Sequence, residues 1–225
     1  MLVKYWMSEP VITIDIEDTM QDVKALLEKH EIRMLPVMEK NKLVGVVTDR
    51  DVKRASASSA SELEPHDMQE LISGIKIKEV MTRDLFTVLF DLTVEEAAEI
   101  ILLKKISGMP VVDHKGNLVG IITLSDLCRV MFSLTGFGKK GVQFAIQLSD
   151  KAHTLKEITD IIRSYGCRVS SILTSYDEVP DGHRKVFIRM FNIDRPFLER
   201  LIEEVREKAT MLYIIDHNER KRMIF

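Results

Sequence analysis

The 225-residue sequence predicts an α+β fold, with two β-α-β-β-α units followed by a ferredoxin-like β-α-β-β-α-β domain. Three observations lead to this prediction. Segment 6–54 is repeated in the same order at 80–129, a glycine-rich breaker follows the second copy, and the strand and helix periods change after residue 141. A segment that occurs twice marks one supersecondary unit, so the two copies can shield each other's apolar faces.

The first repeat divides into five elements. Residues 13–16 alternate as a strand, and Thr19 begins a helix whose apolar residues follow helical spacing. Two β-rich runs at 35–39 and 43–47 are separated by a short polar turn, which indicates a hairpin. A second helix starts near Thr48. The repeat therefore reads strand, helix, strand, strand, helix.

The second repeat has the same elements, apart from one extra residue in the turn around Gly116. The equivalent residues are Met7 and Met81, Thr13 and Thr87, Thr19 and Thr93, Pro36 and Pro110, Gly45 and Gly120, Thr48 and Thr123, and Asp51 and Asp126. Repeat 1 is assigned to 1–58 and repeat 2 to 77–134. The linker 59–76 is rich in Ser and Ala, and we expect it to be partly mobile with a short helix at 66–72.

The breaker cluster 135–141 is a candidate linker to a third domain at 142–225. The expected elements of that domain are strand 142–148, helix 154–165, strand 169–176, strand 185–191, helix 196–208 and strand 211–215. Their β-α-β-β-α-β order is that of a ferredoxin-like sandwich.

The composition narrows the class of protein. With 45% hydrophobic and 30% charged residues, the chain has ample material for a core. A formal net charge of −3 argues against a nucleic-acid partner, which usually leaves a basic footprint. Cys128 and Cys167 have no C-x-x-C partner, so we expect a reduced, cytoplasmic setting. No run approaches about 18 apolar residues, so neither a membrane span nor a signal peptide is expected.

Each repeat ends its last strand with Gly-h-h-Thr-x-x-Asp, where h is hydrophobic, at residues 45–51 and 120–126. A helix begins there, and its free N–H groups and positive dipole end favour phosphate. An aspartate beside that end can accept hydrogen bonds from a ribose diol.

The same spacing has a second interpretation, because Thr-x-x-Asp is also an N-terminal capping box that binds no ligand. The chain contains other candidate boxes, which are Thr19 with Asp22, Thr93 with Glu96, and Thr154 with Glu157. The spacing by itself leaves the ligand and the capping interpretations open.

The two repeats resemble a tandem pair of cystathionine-β-synthase (CBS) domains, the Bateman module, over residues 1–132. The resemblance rests on Pro36-Val and Pro110-Val in the second strands and on the two Gly-h-h-Thr-x-x-Asp segments. It implies a compact regulatory unit that binds an adenosine-containing ligand between the repeats. Such ligands include AMP, ADP, ATP, S-adenosylmethionine and NAD.

The resemblance also implies which residues contact the nucleotide. Ribose contacts are expected at Asp51 and Asp126, with help from Thr48 and Thr123. Adenine is expected against the first strand and the segment around the proline, which contribute Thr13, Ile14, Met34, Leu35 and Pro36 in repeat 1 and Thr87, Val88, Gly108, Met109 and Pro110 in repeat 2.

The two candidate sites differ in charge. Arg50, Lys53 and Arg54 surround Asp51, whereas the equivalent residues around Asp126 are Ser125, Cys128 and Arg129. Basic side chains stabilise a polyphosphate through charge-assisted hydrogen bonds. Repeat 1 is therefore expected to favour a phosphorylated nucleotide, and repeat 2 a less charged ligand or none. The alternative for the basic residues is a solvated cationic stretch of helix.

Residues 142–225 resemble an ACT domain, a regulatory unit that often binds amino acids between paired subunits. In that family the first strand leads into Asp-x-Pro-Gly-x-Leu, and here the segment is Asp150-Lys-Ala-His-Thr-Leu. Ala152 replaces the proline and His153 replaces the glycine. We therefore expect a packing or dimerising role in preference to amino-acid binding.

Two CBS repeats followed by an ACT-like domain resemble the bacterial acetoin-utilisation protein B family, and segments 48–56 and 134–136 strengthen this resemblance. It implies control of acetoin or acetate metabolism by a homodimer with an unidentified protein partner. No catalytic residue, metal site or cofactor is expected beyond the regulatory ligand, because the six histidines show no metal-ligand spacing. The alternatives are a protein-interaction scaffold with vacant sites and an amino-acid sensor that works through the ACT-like domain.

Overall fold

The computed structural model describes residues 1–58 and 74–225, and these form two compact units, Met1–Cys128 and Arg129–Phe225. The short helix expected at 66–72 and most of the linker 59–76 lie outside the described residues. Within the described ranges, no helix is both long and apolar enough to cross a membrane.

Repeat 1 forms a three-stranded sheet and two helices in the predicted order. Its elements are a 3-10 turn Val3–Tyr5, β1 Ile14–Asp15, α1 Met20–Lys29, β2 Met34–Glu39, β3 Lys42–Thr48 and α2 Asp49–Ser58. Strand β1 is parallel to β2, and β2 is antiparallel to β3. Lys40 and Asn41 join β2 to β3 with φ angles of 48° and 66°. This pair of left-handed residues matches the twist of the strands, which explains the hairpin that the sequence predicts.

Repeat 2 has the same architecture. Its elements are α3 Ile77–Val80, β4 Val88–Leu89, α4 Val94–Lys104, β5 Gly108–Val112, β6 Leu118–Thr123 and α5 Leu124–Leu134. The strand order is β4-β5-β6, as β1-β2-β3 in repeat 1. The longer turn between β5 and β6 is organised by the Asp113 carboxylate, which accepts hydrogen bonds from the backbone N–H groups of Lys115 and Asn117, each at 2.8 Å.

The segment that begins each repeat in sequence packs on the other repeat. Residues 1–8 run beside repeat 2, where the Val3 N–H donates to the Leu92 carbonyl at 2.8 Å and Ser8 forms an isolated bridge with Ile121. Residues 75–82 do the same on repeat 1, where Thr82 bridges Val46. The two repeats therefore exchange their leading segments within the first unit.

Glycines in the last strands make room for this exchange. A β-carbon on Gly120 would lie 2.3 Å from the Met7 sulfur, and one on Gly45 would lie 2.7 Å from the Met81 sulfur. Both distances are far below van der Waals contact, so each glycine accommodates the methionine of the other repeat. This close approach is the physical reason for the paired Met and Gly positions in the two copies.

Two of the three auxiliary capping boxes are confirmed. Thr19 with Asp22 caps α1, and Thr93 with Glu96 caps α4, both with the full reciprocal hydrogen bonds. The box expected for Thr154 with Glu157 is wrong.

At that third position the Thr154 hydroxyl donates to the carbonyls of Ser149 and Lys151, at 2.8 and 3.0 Å. Thr154 is already the first residue of its helix, and His153 before it has helical backbone angles. The extended conformation that a capping residue requires is therefore absent at this turn of the described chain.

The second unit forms a five-stranded antiparallel sheet. Its elements are a 3-10 turn Phe137–Lys139, β7 Val142–Ser149, α6 Thr154–Ser164, β8 Arg168–Ser175, β9 His183–Phe191, a 3-10 turn Arg195–Phe197, α7 Leu198–Lys208, β10 Thr210–Asp216 and β11 Lys221–Ile224. The strand order is β11-β10-β7-β9-β8. Without β11, this is the β-α-β-β-α-β order that the sequence predicts.

One face of this sheet packs against the two helices. Phe144 and Ile146 of β7 meet Ile158 and Ile162 of α6 and Leu201 of α7 in one buried cluster. The helical spacing of these apolar residues is what predicts both helices from the sequence.

Candidate functional site

The two Thr-x-x-Asp segments lie at equivalent strand-to-helix junctions. Thr48 ends β3 and Thr123 ends β6, and Asp51 and Asp126 lie in the first turns of α2 and α5. Because both strands are fixed in the same three-stranded sheet topology, both carboxylates occupy the same position in their repeats. The structure therefore places the two Thr-x-x-Asp segments equivalently in the two repeats.

In repeat 1 the two oxygens of Asp51 have different partners. Oδ2 accepts from the Thr48 backbone N–H at 2.9 Å and from the Thr48 hydroxyl at 2.7 Å. Oδ1 accepts from Nη2 of Arg54 at 2.6 Å. The side chain of Asp51 is 8% exposed, whereas that of Arg54 is 74% exposed. An exposed surface cation thus covers the second oxygen of a nearly buried carboxylate.

In repeat 2 the first oxygen is held in the same way and the second differently. Asp126 Oδ2 accepts from the Thr123 N–H at 2.8 Å and from the Thr123 hydroxyl at 2.7 Å. Oδ1 accepts from the Ser8 hydroxyl at 3.2 Å, and Asp126 has further contacts. The residue is 3% exposed. Ser8 reaches it because residues 1–8 pack on repeat 2.

The strand pairing places the residue two positions before each proline opposite the threonine of the Thr-x-x-Asp segment. Met34 pairs with Thr48, and Gly108 pairs with Thr123. A β-carbon on Gly108 would lie 2.8 Å from the Ile122 carbonyl oxygen, so repeat 2 has no space for a side chain where repeat 1 has a methionine. The two sites therefore differ in shape as well as in charge.

The remaining candidate adenine contacts divide into exposed and buried residues. Thr13 and Thr87 are exposed, at the starts of the first strands. The side chains of Ile14, Leu35, Val88 and Met109 are at most 4% exposed, and Pro36 and Pro110 are buried as well.

The basic residues of repeat 1 lie on the surface of α2. Arg50, Lys53 and Arg54 are all exposed, and Lys53 forms an ion pair with Asp49 at 3.4 Å. On α5 the equivalent Ser125 and Cys128 are exposed and uncharged, while the exposed Arg129 has contacts of its own. The predicted difference in charge between the two repeats therefore lies on the exposed surfaces of α2 and α5.

Ser8 is the site residue that the sequence reasoning missed. Its signal was the repeated Met-Ser and Met-Thr pair at 7–8 and 81–82, which marks equivalent positions without saying which repeat they contact. For metals, the described ranges contain no group of three or more His, Cys, Asp or Glu side chains that could hold an ion.

Paired β-α-β-β-α units, each with a threonine-held carboxylate at the start of its last helix, define a class of duplicated ligand-binding modules. The CBS domain matches this chain at residues 3–58 and again at 77–133. The chain belongs to the CBS domain family.

Solved structures and relatives agree with this assignment. A crystal structure of the CBS domain pair of protein MJ0100, in complex with 5′-methylthioadenosine and S-adenosylmethionine, is 32% identical, with a TM-score of 0.50 over 58% of this chain and 95% of that one. A Vibrio cholerae protein named for acetoin utilization (AcuB) is 32% identical, with a TM-score of 0.51 over 60% and 92%.

Among its relatives, the inosine-5′-monophosphate dehydrogenase of Korarchaeum cryptofilum is 36% identical over 117 residues. The match covers 52% of this chain but 21% of the dehydrogenase, so the chain spans about a fifth of that relative. The likeness is confined to the repeat region, as expected for a regulatory module shared between otherwise different proteins.

Proposed function

We propose that the chain is a non-catalytic regulatory protein that binds adenosine-containing ligands between its two CBS repeats. The candidates are AMP, ADP, ATP, S-adenosylmethionine and NAD. The observation that carries the proposal is the pair of nearly buried carboxylates, Asp51 and Asp126, held in the same geometry in both repeats. A carboxylate in this position can accept hydrogen bonds from a ribose diol.

Comparison with the other caps supports this proposal over simple helix capping. Asp22 and Glu96 make the same bonds with Thr19 and Thr93, but both carboxylates are exposed. Capping therefore does not require burial of the acid. Because burying a carboxylate is unfavourable, burial at Asp51 and Asp126 but not at the other two boxes points to a further role.

The partners of the second oxygen support different ligands for the two repeats. In repeat 1, ribose would replace Arg54 on Oδ1 of Asp51, and Arg54 would move to a phosphate together with Arg50 and Lys53. In repeat 2, the uncharged Ser125 and Cys128 suit a ligand without polyphosphate, such as S-adenosylmethionine. The likeness to a CBS pair that binds this compound and 5′-methylthioadenosine supports the second assignment.

Helix α5 offers a route by which binding could reach the second unit. Asp126 lies in its first turn, and Thr135 follows its last residue. The Thr135 carbonyl accepts hydrogen bonds from Nε of Arg189 and from the Ser171 hydroxyl, each at 2.8 Å. We propose that a change at Asp126 is passed along the chain to the second unit, provided that the ligand binds the two arrangements with different affinity.

The wider proposal concerns biological context. We propose a cytoplasmic homodimer, with the ACT-like second unit in a packing or dimerising role, that regulates an unidentified protein of acetoin or acetate metabolism. The observed β-α-β-β-α-β order and the likeness to the Vibrio cholerae protein named for acetoin utilization support these points.

Calorimetric titration of the full chain with AMP, ATP, S-adenosylmethionine and NAD tests the proposal. We expect Asp51→Ala to weaken nucleotide binding by about tenfold or more, because charge-assisted hydrogen bonds to the ribose are lost. The matched control is Asp22→Ala, which removes an equivalent cap from the same repeat. Unchanged affinity in Asp51→Ala, or equal losses in both variants, would contradict the assignment.

A scaffold function is the second candidate, because the threonines satisfy one oxygen of each carboxylate without any ligand. A thermal-shift screen separates the two functions, since a ligand that binds the native state stabilises it. Stabilisation by an adenosine compound supports the regulatory function. Stabilisation by an amino acid alone would assign sensing to the ACT-like unit, and no response at millimolar concentration would favour the scaffold.

A further inference from the structure

A groove of about 590 Å³ lies in the second unit, away from the Thr-x-x-Asp segments. It is formed where β7 ends, β9 begins and α7 leads into β10. Its lining residues are Gln147, Ser149, His183, Arg206, Glu207, Lys208, Ala209, Thr210 and Met211. The volume is within the range of small-molecule sites. The loop 150–153, where the ACT resemblance would locate an amino acid, does not line it.

Two cations in the groove have no acidic partner within the described part of the chain. Arg206 has its guanidinium 3.9 Å from the centre of the Phe225 ring, and Lys208 makes no ion pair there. Two other cations on the helices of this unit are paired. Lys156 lies 2.9 Å from Asp160, and Arg200 lies 3.6 Å from Glu204.

Polar side chains line the opposite wall. Gln147 and Ser149 on β7 have side chains that make no hydrogen bond to another described residue, although Ser149 pairs through its backbone with His183. His183 has Nδ1 3.2 Å from the Asp181 carbonyl. The groove thus combines two unpaired cations with unused hydrogen-bonding groups.

A groove with two unpaired cations and unused hydrogen-bonding groups favours an anionic ligand. Cations in the last turn of α7 also interact favourably with the helix dipole, but that interaction requires neither a groove nor facing polar groups. Carboxylate and phosphate oxygens would accept charge-assisted bonds from Arg206 and Lys208. Glu207 is the one carboxylate in the described lining. It would repel a negative charge of the ligand that lay beside it.

We propose that this groove is a separate ligand site, which binds a small multivalent anion with carboxylate or phosphate groups. Arg206 and Lys208 bind the charged groups, and Gln147 and Ser149 bind the neutral polar atoms. The site is independent of the nucleotide function, since every lining residue belongs to the second unit.

Calorimetric titration of the full chain with citrate and with pyrophosphate, at ionic strength matched by sodium chloride, tests this proposal. We expect saturable binding of at least one probe, and only the part of that binding that is lost in the variant of Arg206 and Lys208 is assigned to the groove. The double variant Arg206→Ala, Lys208→Ala should weaken that binding by about tenfold or more.

The matched control is the double variant Lys156→Ala, Arg200→Ala, which removes the same charge from the same unit without touching the groove. It should bind as the parent protein does. Equal losses in the two cation variants would show nonspecific charge attraction and overturn the proposal. Unchanged binding in the Arg206 and Lys208 variant, or no binding of either probe, would overturn it as well.

Discussion

Repeat 1 and repeat 2 hold the same carboxylate by the same threonine, and they differ in what covers its second oxygen. The Arg54 side chain, which is 74% exposed, covers Asp51. Ser8 belongs to the N-terminal segment 1–8, which packs on repeat 2. Its hydroxyl donates a hydrogen bond to Oδ1 of Asp126. The first partner is a largely exposed cation. The Ser8 hydroxyl is neutral, and Asp126 has further contacts besides it.

The difference teaches that a duplicated motif can be retained while the partners of its carboxylate change. One oxygen of each carboxylate is used for local structure, and this use is the same in both copies. The partners of the other oxygen differ, because Arg54 donates to Oδ1 of Asp51 and Ser8 donates to Oδ1 of Asp126, and two of the three basic residues around Asp51 are replaced by Ser125 and Cys128 in repeat 2. A phosphorylated ligand suits repeat 1, because it gives the displaced Arg54 a new anionic partner.

The largest expected effect concerns the exchanged methionines. Met81 is 8% exposed in the core of repeat 1, whereas Met7 is half-buried on repeat 2. We expect Met81→Ala to lower the free energy of unfolding by about 2–4 kcal/mol, because it leaves a cavity against Gly45, and Met7→Ala to lower it by about 1 kcal/mol.

Urea denaturation followed by fluorescence measures both values, since the single tryptophan, Trp6, lies in the first unit. Equal losses would mean that the two exchanged segments contribute alike to stability. The different burial of Met7 and Met81 would then have no effect on the free energy of unfolding.

The second prediction exchanges the charges around the sites. Arg50→Ser with Lys53→Ala should weaken ATP binding by about tenfold, and AMP binding by less, because two cations that can bind the outer phosphates are lost. Titration calorimetry measures both affinities. Lys24→Ala is the control, since it removes an exposed cation of repeat 1 from the other helix. If the affinities for ATP and AMP fall to the same extent, Arg50 and Lys53 do not bind the outer phosphates.

A smaller effect is expected at the covering hydroxyl. Ser8→Ala removes the 3.2 Å bond to Asp126 and should destabilise the first unit by about 0.5–1 kcal/mol. Thr82 is the equivalent residue beside repeat 1, and its hydroxyl has no partner among the described residues. Thr82→Ala should therefore have almost no effect in the same urea experiment. The reverse order of the two effects would disprove the assigned role of Ser8.

The smallest effect tests a feature in which the repeats are alike. Hydrogen bonds from Thr19 lower the pKa of Asp22, and hydrogen bonds from Thr93 lower the pKa of Glu96. A carboxylate whose pKa is lower in the folded state stabilises the protein above its unfolded-state pKa, and this contribution is lost as the pH falls through the folded-state value.

The parent protein should therefore lose stability more steeply with falling pH, below the ordinary range of these carboxyls, than Asp22→Asn or Glu96→Gln. The two variants should flatten the profile by similar amounts, because the exposed caps are equivalent. Urea midpoints at several acidic pH values check this, and a profile that only one variant flattens would show that the caps of the two repeats differ.

Most of the fold could be predicted because each element carries its own local period. The Lys40-Asn41 turn, the apolar face of α1 and the helices of the second unit are examples. Strand β11 at Lys221–Ile224 was missed, since all four residues are exposed and no alternation of burial marks them. The cap at Thr154 was predicted wrongly, because the spacing of a capping box does not report the backbone angles of the residue before it.

The sequence alone determined the half of each site that is local. Thr48 and Asp51, like Thr123 and Asp126, are three residues apart, so their hydrogen bonds form wherever the strand passes into the helix. Only the tertiary structure decided the other half, which includes the burial of both carboxylates and the approach of Ser8 to Asp126. Those two residues are 118 positions apart, and they meet because the exchanged N-terminal segment packs over Gly120, where a side chain would leave no room for Met7.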